Sequence, residues 1–281
     1  MAAASFAARD GRRRELAEFL RARRERIGPS DVGLAPGPRR RTPGLRREEV
    51  ANLAGVGLTW YTWLEQGRPI RASTQVLDAI ARTLQLGPAE HKHLLSLAAA
   101  EVGVSNVDVT FEPPAAVLEM LDALDPIPAV LASSRYDGLA VNAAYDDLVR
   151  DWHEAPCRHF NLLWCTVTDP VNARARLVNY DTEIPWMVAR LRANMADHLG
   201  DPAWVSFVEE LCEASAEFRD LWARHEVAGI ESRTKVFRDP VAGLLTFTTT
   251  SLGVTARPEM SLIVYTPADD ATRERLPLTR R

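Results

Sequence analysis

No stretch of the 281 residues stays apolar over the roughly 20 positions that a membrane-crossing helix needs, so no membrane partner is expected. The opening "MAAASFAARDGRRRELAEFL" lacks a long apolar centre and sets its arginines after the small residues, unlike a secretory signal. Cysteine is scarce. Cys157, Cys165 and Cys212 make no disulfide framework, and with no export signal they point to a cytoplasmic protein whose thiols stay reduced. The usual catalytic motifs are missing too: there is no G-x-S-x-G, no glycine-rich phosphate loop and no H-E-x-x-H. An enzyme is therefore not expected, and no catalytic residue or cofactor is assigned. His153, Cys157, His159 and Cys165 fall within 13 residues, but their spacing fits no zinc site, so no metal is expected either.

What is present is a charge asymmetry that the net value of −4 conceals. Residues 1–100 carry 17 basic and 10 acidic side chains, and the basic ones are almost all arginine; residues 101–281 carry 17 and 28. A basic head on an acidic body suggests that the head meets a polyanion.

The head reads as five short helices with no strand pattern. "GRRRELAEFLRARRERIG" spaces Leu16, Phe19, Leu20 and Ile27 as one apolar stripe, and Gly28-Pro29 ends it. A proline-rich loop follows, closing on Arg39, Arg40 and Arg41. A helix over about Arg46–Ala54 should bury Val50, Leu53 and Ala54. Gly55-Val56-Gly57 breaks it, and a second short helix, Leu58–Gln66, ends at Gly67. Two further helices follow, with Val76, Leu77, Ile80 and Leu84 facing inward on the first and Gly87-Pro88 opening the second. Periodicity then lapses over a linker at about 101–113. Beyond it, "PAVLAS", "GLAVN", "TKVFRD", "LLTFTTTSLG" and "SLIVYTP" read as strands, the first two joined by a turn at Asp137-Gly138. Helices are expected at Ala143–Trp152, Trp186–Leu199, Trp204–Ala214 and Glu217–His225. Residues 1–10 and 269–281 read as a frayed start and a loose tail.

Two helices joined through a glycine break make a helix-turn-helix. Gly55 can take the positive φ that the break needs. Tyr61 and Leu64 should turn inward, leaving Leu58, Thr59, Trp60, Thr62 and Trp63 toward a DNA major groove. Threonine can hydrogen-bond a base or a phosphate, and its methyl can touch thymine. Arg39, Arg40, Arg41, Arg46 and Arg47 are placed to hold phosphates, which fixes register without reading sequence. The expected partner is double-stranded DNA.

The segments "RRRTPGLRREEVANLAGV", "TWYTWLEQGR" and "VLDAIARTL" resemble the xenobiotic-response-element type of helix-turn-helix repressor, and more narrowly the actinobacterial regulators with a MmyB-like ligand-binding domain. "LVNYDTE", "EFRDLWARHEV" and "VYTPA" resemble that family's C-terminal domain. The resemblance implies an all-α, five-helix, lambda-repressor-like domain over residues 11–100 and an α/β, PAS-like sensor over 114–268. It also implies a homodimer and a small apolar, fatty-acid-like ligand. Gly57 stands where the family often has serine, Val141 where tryptophan is common, and Asp239 where histidine is common.

The second region is rich in aromatics, which serve equally as core or as a pocket wall. A sensor pocket needs apolar walls and a few converging polar groups. Asn142, Asn161, Trp164, Trp186, Arg190, Trp222 and His225 are the candidate ligand residues. Phe218, Leu221, Trp222 and His225 share one helical face, which can dock on the sheet, line the pocket or form a dimer seam. A domain serving only dimerisation or a protein partner is the alternative reading. More remote is an enzyme whose helical head only mediates association.

Overall fold

A computed structural model describes residues 2–35, 44–99, 112–150 and 160–278, with side chains described from residue 9 onward. The chain divides into two units. The first comprises residues 1–106, 192–210 and 220–229, and the second comprises 107–191, 211–219 and 230–281.

In the first unit, α1 (Ala2–Arg26) starts near the N-terminus, so the frayed start expected over residues 1–10 gives way to helix. A 3₁₀ turn (Pro29–Val32) follows. Next come α2 (Arg47–Ala54), α3 (Leu58–Glu65), α4 (Thr74–Thr83) and α5 (Pro88–Ala98). Local chemistry sets the ends. Gly55 closes α2 at φ 68°, where only glycine escapes a Cβ penalty. Ser73 caps α4 by accepting from the Val76 N–H at 3.4 Å. Glu90 accepts from the Gly87 N–H at 2.9 Å at the start of α5.

The core of this unit is built from Phe19, Leu20, Leu45, Val50, Tyr61, Ile80, Leu84 and Leu94, all fully buried. The stripe on α1 is buried as its spacing implies. On α2 the expected face is corrected: Ala51 is buried, while Leu53 is 43 % exposed. The same core takes in Ala196, with Leu199 and Val227 packed against it. These three come from the chain segments 192–210 and 220–229, which lie far along the sequence from the helical head.

The second unit opens with α6 (Ala115–Ala123), β1 (Ala129–Ser133), β2 (Gly138–Val141) and α7 (Ala143–Val149). After them come α8 (Leu162–Thr168), α9 (Pro170–Arg176) and α10 (Tyr180–Met195). Helices α11 (Pro202–Ala214), most of which belongs to the first unit, and α12 (Ala216–Trp222) lead to β3 (Arg233–Asp239), β4 (Gly243–Val254), β5 (Arg257–Pro267) and α13 (Asp270–Glu274); the C-terminal ends of α10 and α12 also belong to the first unit. The strands form one antiparallel sheet in the order β2-β1-β5-β4-β3. Strand β1 is buried along its whole length, as a strand flanked on both sides and covered should be.

All five expected strands are present, whereas the helices differ in places. Helix α10 starts six residues before Trp186 and contains Pro185. Helices α6, α8 and α9 were not anticipated, and α13 with its Asp269 cap replaces part of the loose tail.

Candidate DNA-binding surface and ligand cavity

Helix α3 presents the side expected of a DNA-reading element. Leu58 is 47 % exposed and Trp63 38 % exposed, while Tyr61 and Leu64 are buried. Thr59 is exposed and Thr62 half-buried. Trp60 is half-buried and packs against the helical core, so its ring serves the fold as well as the surface. Gly57 takes the N-cap position of α3 and offers no side-chain bond to the first turn.

The fully buried Glu65 at the C-terminal end of α3 is the electrostatic centre of this region. Arg24 grips it twice, Nε to Oε2 at 2.8 Å and Nη2 to Oε1 at 2.7 Å, and gives its remaining nitrogen to the Leu45 carbonyl at 2.8 Å. Arg47 Nε donates to Oε1 at 3.1 Å. A buried carboxylate needs this degree of pairing. Arg47, expected as a phosphate hook, is thus turned toward protein. Arg46 keeps an exposed side chain, and its one ion-pair partner among the described residues is the exposed Glu48, at 3.3 Å. Arg39, Arg40 and Arg41 lie outside the described residues. Sequence reading missed Arg68 and Arg71, both exposed in the loop after α3. Arg68 sits over the Trp63 ring at 5.8 Å. The signal for them was two arginines within six residues of the helix end.

A second charged cluster in the first unit gathers Trp222 and His225. The buried Arg192 donates to the Glu15 carboxylate and, at 2.5 Å, to the Trp222 carbonyl, with its guanidinium 3.8 Å from the Trp222 ring centroid. Arg23 donates to the His225 carbonyl and ion-pairs with Glu226 at 3.1 Å. Burial works against the Glu15 carboxylate charge, but His225 and Arg192 outweigh it and hold its pKa at about 2. Nearby His93 is 3 % exposed, and neither ring nitrogen has a partner among the described residues. Burial pushes its pKa down to about 4.

The second unit contains a cavity of about 40 Å³. Tyr145 and Val149 from α7, Leu162, Cys165 and Thr166 from α8, and Met187 from α10 contribute to its wall, with Lys235 and Phe237 from β3 and Tyr265 from β5. Phe237, Phe247 and Tyr265 pack edge-on at 5.9–6.2 Å between centroids. Tyr145 lies 5.4 Å from Tyr265.

Of the residues expected to hold a ligand, only Asn161 lines this cavity. Its amide is already committed: Oδ1 caps α8 by accepting from Leu163 and Trp164, and Nδ2 donates to Arg135 and Asp137. Asn142, 1 % exposed, caps α7 and ties Ala129 and Ile127. Trp164, Trp186 and Arg190 are absent from the lining. Trp186 instead lies under Arg233 at 5.2 Å. Trp222 and His225 belong to the first unit. Asparagine in this setting is a capping residue before it is a ligand contact. Cys165 is disulfide-bonded, so the expectation of no disulfide is corrected there. His153, Cys157 and His159 lie outside the described residues.

No helix among the described residues is long and apolar enough to cross a membrane. Residues 15–94 match the helix-turn-helix domain, and residues 113–278 match the MmyB-like transcription regulator ligand binding domain. No curated protein matches the chain. With a helix-turn-helix head joined to a ligand-binding domain that covers more than half of its length, the chain belongs to the MmyB-like transcription regulators.

Proposed function

We propose that the protein is a sequence-specific regulator of transcription that binds duplex DNA as a homodimer in the cytoplasm. Helix α3 lies in the major groove, where Leu58, Thr59, Thr62 and Trp63 read base edges. Arg46, Arg68, Arg71 and the Arg39–Arg41 run hold phosphates. The observation that carries this reading is the exposed face of α3, flanked along the chain by the exposed Arg46, Arg68 and Arg71, on a helix whose other side is fixed by Tyr61, Leu64 and Glu65. A small, largely apolar molecule of fatty-acid-like character, with no resident cofactor, occupies the sheet domain. It favours one dimer geometry and so shifts the population competent for DNA.

Selection of binding sites from random duplexes tests the first part. Enrichment of a two-fold symmetric site with half-sites about one helical turn apart is expected; an unenriched pool overturns it. Extraction of the purified protein followed by mass spectrometry tests the second, with an apolar small molecule as the expected product. The modest cavity volume of about 40 Å³ favours a second reading, in which the sheet domain only pairs copies or binds a protein. An empty extract together with no binding of added small molecules would select it.

A further inference from the structure

The exposed side of α3 is short of the groups that read most bases. Guanine is recognised by arginine or lysine, adenine by asparagine or glutamine, and cytosine by a carboxylate. Leu58–Glu65 contains no arginine, lysine, asparagine, glutamine or aspartate, and its one acid, Glu65, is fully buried. Gln66 is exposed but forms the C-cap, at the opposite end from the N-terminal turns that meet base edges. What the helix offers instead is apolar. At roughly 100° per residue, Leu58, Thr62, Thr59 and Trp63 follow one another around it. Two threonines therefore lie between a leucine that is 47 % exposed and a tryptophan that is 38 % exposed. Arg68 lies over the Trp63 ring at 5.8 Å, and its backbone N–H donates to the Trp63 carbonyl at 3.0 Å, which ties the following loop to this residue.

Of the four bases, only thymine presents a methyl group in the major groove. Resting on the reading that α3 lies in that groove, we infer that it selects half-sites by their thymine 5-methyl groups, which Leu58 and Trp63 enclose together with the threonine methyls between them. The threonine hydroxyls and the Trp63 indole N–H supply hydrogen bonds to thymine O4 or purine N7. Packing leucine and tryptophan against a methyl removes apolar surface from water on both sides. A bare C5–H leaves a gap that forfeits those contacts. The exposed arginines, Arg46, Arg68 and Arg71, lie outside α3 and serve phosphates in this scheme.

The test uses the full-length protein and the duplex that it enriches most from a random pool. Each thymine is replaced in turn by deoxyuridine, which keeps the base pair and removes only the methyl. Fluorescence anisotropy should show a loss of about fourfold at every contacted thymine, the worth of burying one methyl-sized group. A cytosine placed there should bind better with a 5-methyl group than without one. Leu58→Ala and Trp63→Ala should each abolish the thymine–uracil difference at one position or more and leave the salt slope unchanged. Uracil tolerated at every position by the wild type would overturn the inference while leaving α3 a reader of DNA. A thymine–uracil difference that survives both variants would remove Leu58 and Trp63 as its source. A pool with no enriched duplex would sink the DNA reading itself. Should Trp63→Ala fail to fold, as judged by thermal melting, the wild-type comparison and Leu58→Ala still decide.

Discussion

Arg47 Nε sits 3.1 Å from the buried Oε1 of Glu65, so one of the two arginines at the start of α2 is spent on holding α3 in place. Arg46, one residue earlier, has no such buried partner among the described residues. Arg46→Ala should lower affinity for all duplexes alike and reduce the slope of log K against log salt by about 0.9, the share of one phosphate contact. Arg47→Ala should act mainly through stability and leave more of the slope intact. Binding isotherms between low and moderate salt check this; equal losses of slope in the two variants would return Arg47 to the phosphate set.

Glu65 is fully buried against Arg24, which is itself nearly so. Removing one partner of such a pair strands the other charge and costs about 3–5 kcal/mol. Glu65→Gln is expected to destabilise the protein by that order in urea unfolding. The double replacement Glu65→Leu with Arg24→Met should recover much of the loss, because the partner charge left on Arg47 can reach solvent. Additive losses would show that the two side chains act independently.

His93 titrates with its ring buried, at a pKa near 4 against an ordinary 6.5. Below pH 6.5 the unfolded chain takes up a proton that the folded protein refuses until about pH 4. Stability therefore falls as pH drops through this window, by about 3 kcal/mol in total. Glu15, depressed from 4.5 to about 2, adds a further loss below pH 4.5 as its ion pairs are protonated away. His93→Phe should flatten the upper part of the curve in thermal melts taken from pH 7 to 4. An unchanged pH dependence would place the effect elsewhere.

Thr59 is exposed on the first turn of α3, beside the half-turn that would enter the groove. Thr59→Ala should change the preferred base at one position of each half-site, with about 1 kcal/mol of discrimination lost there. Affinity for random duplex should hardly move. A uniform loss across all sequences would argue for a phosphate contact instead.

The parts of the fold that follow from short-range periodicity were legible in the sequence. The α1 stripe, the Gly55 break and the five strands each declare themselves within a dozen residues. Leu53 was misplaced because α2 is only eight residues long, and Ala51 fills the same face one position away. The Arg24–Glu65 and Arg47–Glu65 pairs span 41 and 18 residues, beyond any local pattern. At the cavity, asparagines were read as ligand contacts, although each sits at a helix start where its amide satisfies backbone N–H groups.

The first unit borrows residues 192–210 and 220–229 from beyond the sheet domain's first strands. Excising the head by cutting the chain after α5 would thus strip Ala196, Leu199 and Val227 from its interior and leave Arg23 without its Glu226 partner. Chimeras that exchange heads between related regulators inherit the same difficulty: they must carry matching pieces from three places in the chain, which ties the evolution of reading head and sensor together.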